Sequence, residues 1–145
     1  MPDAHSVMSA ELAAAKDFLS LLKEEESALV AGDTERLPGI VQSKSEKIRN
    51  IARLAQERNQ LVPLPEMDAW LKNRPESSKI WQSLMRLSEE IKEHNRVNGA
   101  MIDMRLRSTQ QALNMLQSLA STTTSLYGPD GQSSIPTGGS RIDNA

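Results

Sequence analysis

The sequence offers few side chains with chemistry of their own. It has two histidines, His5 and His94, and no cysteine. The lack of cysteine removes disulfides, thiolate metal sites and thiol nucleophiles together. The run Glu89-Glu90-Ile91-Lys92-Glu93-His94 has the residue types of a carboxylate–imidazole metal site. A di-iron centre carried by a helical bundle, however, needs Glu-x-x-His on two helices and a Glu on each of two others. Here Glu90 precedes His94 by four positions and no second copy exists, so a solvated or bundle-interior polar layer is the better reading. No Gly-rich loop follows a strand to cradle a phosphate, and Gly-x-Ser-x-Gly does not occur. The expectation is a protein that is not an enzyme and carries no metal or cofactor.

A second polar group is Asn95, Asn98 and Gly99. Two asparagines on one helix face can hydrogen-bond a partner's backbone. Alternatively, a buried Asn at a seam position fixes register and partner number at some cost in stability, and this is the preferred reading. Gly99 inside a helix costs about 1 kcal/mol relative to Ala, which points to a close helix approach or a hinge. Met101, Met104 and Met115 lie in the same stretch as Met85. Methionine suits surfaces that accept more than one partner. Tyr127, at the junction with a Gly- and Ser-rich end, reads either as a packing cap or as an exposed docking anchor.

The elements that hold these residues are helices. From Val7 to Ala31, Met8, Leu12, Ala15, Leu19, Leu22, Glu26 and Leu29 recur in steps of four and three, a heptad seam interrupted at Glu26. Gly32 suits the left-handed position after a helix end, and Asp33 or Thr34 can cap the next helix. That second helix is expected over 38–61, with Pro38 as a first-turn residue and a seam of Val41, Lys44, Ile48, Ile51, Ala55, Arg58 and Val62. Pro63 and Pro65 end it. A short helical turn over 65–73 would bury Met67, Trp70 and Leu71, and Arg74-Pro75 breaks the chain again. The last helix, 76–126, contains no Pro and only Gly99. Its two seams, Ile80 to Ile91 and Ile102 to Ala120, are joined by a stutter-like phase slip.

These spans predict an all-α fold: an antiparallel helical bundle or coiled coil of about three main helices, the last very long. A helical domain over 1–127 is followed by a disordered tail over 128–145, where the composition can bury almost nothing. Residues 1–31 carry six acids and two bases, and 33–62 carry four acids and six bases. The first two helices therefore select each other as antiparallel partners. A hairpin of roughly 25-residue helices spans about 38 Å, half of the roughly 75 Å of the last helix. Leu106, Leu113, Leu116 and Leu119 would then stay uncovered, and such a stripe usually meets another chain.

Composition excludes further classes. Seventeen Lys and Arg balance nineteen Asp and Glu, whereas a general nucleic-acid binder carries a basic excess. No apolar run approaches a membrane span, and the N-terminus lacks a basic region followed by an apolar block. The chain reads as soluble and cytoplasmic, a monomer or weak homodimer. The plainest alternative is a self-associating coiled-coil adaptor.

Several segments together carry a resemblance. They are Leu-Leu-x-x-Glu-x-x-Ala-Leu (21–29), Gly-Asp-x-x-x-Leu (32–37) and Ala-x-x-Arg-Asn (55–59). Further on come Asn-x-x-Asn-Gly-x-x-Ile (95–102), Gln-x-Ala-Leu-x-x-Leu (110–116), Leu-Tyr-Gly-x-x-Gly (126–131) and a closing Ser-Arg-Ile-Asp-x-Ala. Over nearly its whole length the chain resembles the FlgN family of flagellar export chaperones. That resemblance implies binding of hook-associated junction proteins, of the FlgK and FlgL type, as cargo before export. It implies that premature assembly of their terminal helices is prevented, and that they are delivered to the type III export gate or ATPase components. It places cargo binding in the later half of the last helix, which here corresponds to Met101, Ile102, Leu106, Leu113, Leu116 and Leu119, and export-gate docking at Tyr127.

Overall fold

The computed structural model describes residues 2–126. Tyr127 and the expected tail over 128–145 lie outside the described residues. Helix α1 runs Ala4–Ala31, α2 Leu37–Leu61, α3 Met67–Leu71 and α4 Pro75–Leu126, with a 3-10 turn at Leu64–Glu66 before α3. No strand occurs among the described residues.

The ends of α1 follow from single side chains. Asp3 has extended backbone, and its Oδ1 accepts from the Ser6 N–H at 2.8 Å. This cap starts the helix three residues before the expected Val7. At the other end Gly32 has φ 72°, and its N–H returns to the carbonyls of Ala28 and Leu29. Asp33 N–H reaches the Ala28 carbonyl at 2.9 Å, completing a left-handed stop that favours glycine. Pro38 occupies the first turn of α2 as expected, but neither Asp33 nor Thr34 caps it. Arg36 holds the cap position without a side-chain hydrogen bond, and Asp33 instead lies 3.9 Å from the Arg36 guanidinium. Val62 turns the chain extended at the end of α2.

The described residues divide into two units, the first ending at Ile102 and the second beginning at Asp103. In the first, α1 and α2 make an antiparallel hairpin, pinned by Glu11 to Arg58 at 2.8 Å and Glu25 to Lys44 at 3.1 Å. The first part of α4 runs parallel to α1, since Ser77 hydrogen-bonds His5 and Asn98 reaches the Leu22 carbonyl. The main core joins Met8, Ala15 and Leu19 of α1 to Leu84 and Leu87 of α4, with Val62, Met67 and Leu71 closing one end. A smaller cluster of Leu21, Ala28 and Ile40 fills the hairpin's turn end. Trp70, expected inside with Met67 and Leu71, is half-buried at the margin of this core, and the Arg74 guanidinium covers its ring at 4.6 Å.

The seam of α1 differs in phase from the expected one. Ala4, Met8, Glu11, Ala15, Phe18, Leu22, Glu25 and Leu29 are all buried, an unbroken alternation of four and three steps. Glu25, not Glu26, stands inside, and Glu11 displaces Leu12, which is half-buried. Each buried carboxylate is taken up by a cation of α2, so the polar positions follow from pairing and not from hydropathy. On α2 the expected seam residues Val41 and Ile48 are exposed, at 54% and 50%. α2 meets α1 through Lys44 and Arg58 of the expected seam, with Ile40 and Leu54 buried beside it.

Candidate functional site

Asn98 is the focus of the polar layer. It is fully buried, and its Nδ2 donates to the Leu22 carbonyl and to Glu25 Oε1, both at 2.9 Å. Its Oδ1 has no donor among the described residues. Lys44 Nζ donates to both Glu25 oxygens, at 3.1 and 3.2 Å, and to Asn95 Oδ1 at 3.2 Å. Glu25 and the Leu22 carbonyl of α1, Lys44 of α2, and Asn95 and Asn98 of α4 thus join in a single hydrogen-bonded cluster. Asn95, expected beside Asn98 in the seam, is exposed and serves as the outer acceptor for Lys44. A Cβ built on Gly99 meets nothing within 4 Å, so the expected close helix approach is not why glycine stands there.

The metal-like residues do not converge. His94 is half-buried and Glu90 exposed, while Glu93 turns to Arg96 in a two-pronged contact at 2.7 and 3.0 Å. The hydrogen bonds and charge of Arg96 pull the Glu93 carboxyl below the usual carboxylate range. His5 Nδ1 lies 2.8 Å from Ser77 Oγ. Among the described residues no three of His, Cys, Asp or Glu are placed to share a metal ion.

The second unit presents a different kind of surface. Met101 and Ile102, which close the first unit, are half-buried. From Asp103 to Thr122 every side chain is exposed. Leu106 is 64%, Leu113 48% and Leu116 62% exposed, with Met104, Met115 and Leu119 similar. At about 100° per residue Leu106, Leu113 and Leu116 fall on one line. Leu119 lies about 60° beyond Leu116, and Met104 and Met115 sit together on the far side of the helix from Leu106. Such a face can bury itself against another apolar helix. No helix among the described residues is long and apolar enough to cross a membrane.

An all-helical first unit locked by a three-helix polar clamp, with an exposed apolar helix face beyond it, defines a protein-binding helical module. Comparison with known proteins gives the family. The FlgN protein family model matches residues 1–135, and the chain belongs to that family, whose members are flagellar chaperones and not enzymes. It is 27% identical over 134 residues to the flagella synthesis protein FlgN of Proteus mirabilis, covering 91% of this chain and 90% of that one. It is 28% identical to the Yersinia enterocolitica protein of the same name, over 77% of this chain and 76% of the relative. The Salmonella typhimurium relative is 26% identical, with 87% of each chain covered. No solved structure matches the chain.

Proposed function

We propose that this chain binds hook-associated junction proteins in the cytoplasm, shields their terminal helices from premature assembly, and hands them to the flagellar type III export apparatus. The observation that carries the reading is the exposed line of Leu106, Leu113 and Leu116 on α4. Amphipathic terminal helices would form coiled coils with one another, and this face supplies the apolar surface they otherwise seek. Met101, Ile102 and Leu119 extend the contact, and the methionine adapts it to more than one cargo. Asn95 and Asn98 act inside the chaperone, holding register rather than touching cargo. Tyr127 docks the export gate. The chain works as a monomer or weak homodimer, since a tight dimer burying 102–119 would leave no cargo site.

Calorimetric titration with a hook-associated junction protein from the same organism tests this. The expected result is one-to-one binding with a negative heat-capacity change. Burying each leucine is worth about 1.5–3 kcal/mol, so Leu113→Asp with Leu116→Asp should weaken binding by roughly a hundredfold or more. Both side chains are exposed, and circular dichroism should remain helical. Unchanged cargo binding in that variant would overturn the assignment. Tyr127→Ala should leave cargo affinity intact and lower capture by the export gate. Equal loss of both would make Tyr127 a structural cap.

A further inference from the structure

We propose that the groove between α2 and α4 in the first unit is a docking cleft for one amphipathic helix of a partner protein, aliphatic on its inner face and acidic along its flanks. This surface is separate from the α4 leucine line and does not depend on the proposed cargo site.

The groove exists because α1 is shared. α2 and α4 each rest on α1, and across the gap between them a cavity of about 310 Å³ opens. Ala15 and Phe18 of α1 form its floor. Ile48, Ile51 and Ala52 line one wall, and Leu84, Ser88 and Ile91 the other. Two polar bridges span the gap and mark its ends. Lys44 reaches Asn95 at 3.2 Å, and the Arg58 guanidinium lies 4.9 Å over the Trp81 ring. Along both helices the bridges are two heptads apart, which leaves roughly 20 Å between them. That length suits a helix of about four turns. Ala52 and Ser88 are small and exposed, so a fourth helix can approach closely and seat its side chains between Ile48 and Leu84. The groove walls are helices whose backbone groups are already paired, so recognition has to run through side chains, the helix-in-groove mode.

Charge selects the occupant. Arg49 follows Ile48 on the outer edge of one wall, and Lys92 follows Ile91 on the outer edge of the other. Both are exposed, and neither pairs with an acid among the described residues. The carboxylates in the floor are neutralised, Glu11 by Arg58 and Glu25 by Lys44. Glu89, Glu90 and Glu93 lie about 100° or more round α4 from the groove face. The rim is therefore cationic and the interior apolar.

Trp81 at the end of the groove is a built-in reporter once Trp70 is replaced by Phe. The probes are two helical peptides of about 14 residues, roughly 21 Å long, with the same leucine stripe and either Glu or Lys flanks. The Glu-flanked peptide should shift Trp81 emission saturably, and the Lys-flanked peptide should bind at least about tenfold more weakly. Ile48→Glu should weaken the Glu-flanked peptide by a similar factor. Its side chain is already half in solvent, and the surface pair Arg49→Glu with Lys92→Glu should reverse the preference between peptides without touching the core. Leu113→Asp with Leu116→Asp should change none of this. Equal binding of both peptides, or binding lost in the leucine variant and kept in Ile48→Glu, would overturn the proposal. So would self-association in sedimentation that Ile48→Glu abolishes while neither peptide binds, since the occupant would then be a second copy.

Discussion

Replacing Lys44 by Met tests whether the three-helix clamp governs the stability of the first unit. Among the described residues Lys44 Nζ is the one cation on Glu25, whose side chain is 1% exposed. Without it the carboxylate keeps the Asn98 Nδ2 at 2.9 Å and no counter-charge. Breaking a buried pair by removing one partner typically costs about 3–5 kcal/mol. Lys44 itself is 18% exposed, which admits some solvent to the orphaned charge and argues for the lower end, about 3 kcal/mol. Against a typical domain stability of about 5–15 kcal/mol that is a large fraction. Replacing both partners, Glu25→Leu with Lys44→Met, removes the charges together and should cost less than Lys44→Met alone, because no bare carboxylate remains. The assay is urea unfolding followed by circular dichroism for the four members of the cycle, with unchanged slopes as the check on two-state behaviour. A single variant within about 0.5 kcal/mol of the parent, or a double variant equal to the sum of the singles, would refute the reasoning.

The helix ends and the junction give three further expected outcomes. Gly99→Ala should stabilise the chain by about 1 kcal/mol, because a Cβ there meets nothing within 4 Å and the helix gains propensity; a loss in thermal unfolding would show that glycine is needed for backbone freedom. Gly32→Ala should lower stability in the same unfolding assay by about 1–2 kcal/mol, since φ 72° is a strained conformation for any L side chain. The hydrogen bond from the Ser6 N–H, first, and then that of the Ser6 side chain hold the Asp3 carboxyl below its ordinary value. A group depressed in the folded state stabilises above its unfolded pKa and loses that contribution as pH falls through the folded pKa. Amide exchange in the first turn of α1 should therefore accelerate in strong acid, and Asp3→Asn should remove most of that dependence.

The punctuation of the chain was legible because it is local. Gly32, Pro38, the Pro63–Pro65 pair and Pro75 each impose a backbone conformation on themselves or a neighbour, and the helices fall between them to within a few residues. The exposed face of α4 was legible from lengths, since two helices of ordinary size cannot line a third twice as long. What hydropathy could not give was the inside of α1. Leu12 is a better seam residue than Glu11, and nothing local separates Glu25 from Glu26. The answer depends on Arg58 and Lys44, far away in sequence. A signal was present even so. The two bases within the apolar seam of α2 stand two heptads apart, as Glu11 and Glu25 do on α1, and matching those intervals would have found both pairs. The α2–α4 groove lay beyond reach, because it depends on how far two helices diverge around a third.

Those matched intervals also act as a two-pin key for the hairpin. Slide α2 along α1 by one heptad and the apolar surfaces still mesh, but Leu37 and Ile51 now stand opposite Glu25 and Glu11. Slide it the other way and Ile51 faces Glu25, while Glu11 runs past the end of α2. Either misthreading parts both carboxylates from their cations at once. Apolar contacts would leave the hairpin a ladder of near-equivalent rungs. The pins leave it one.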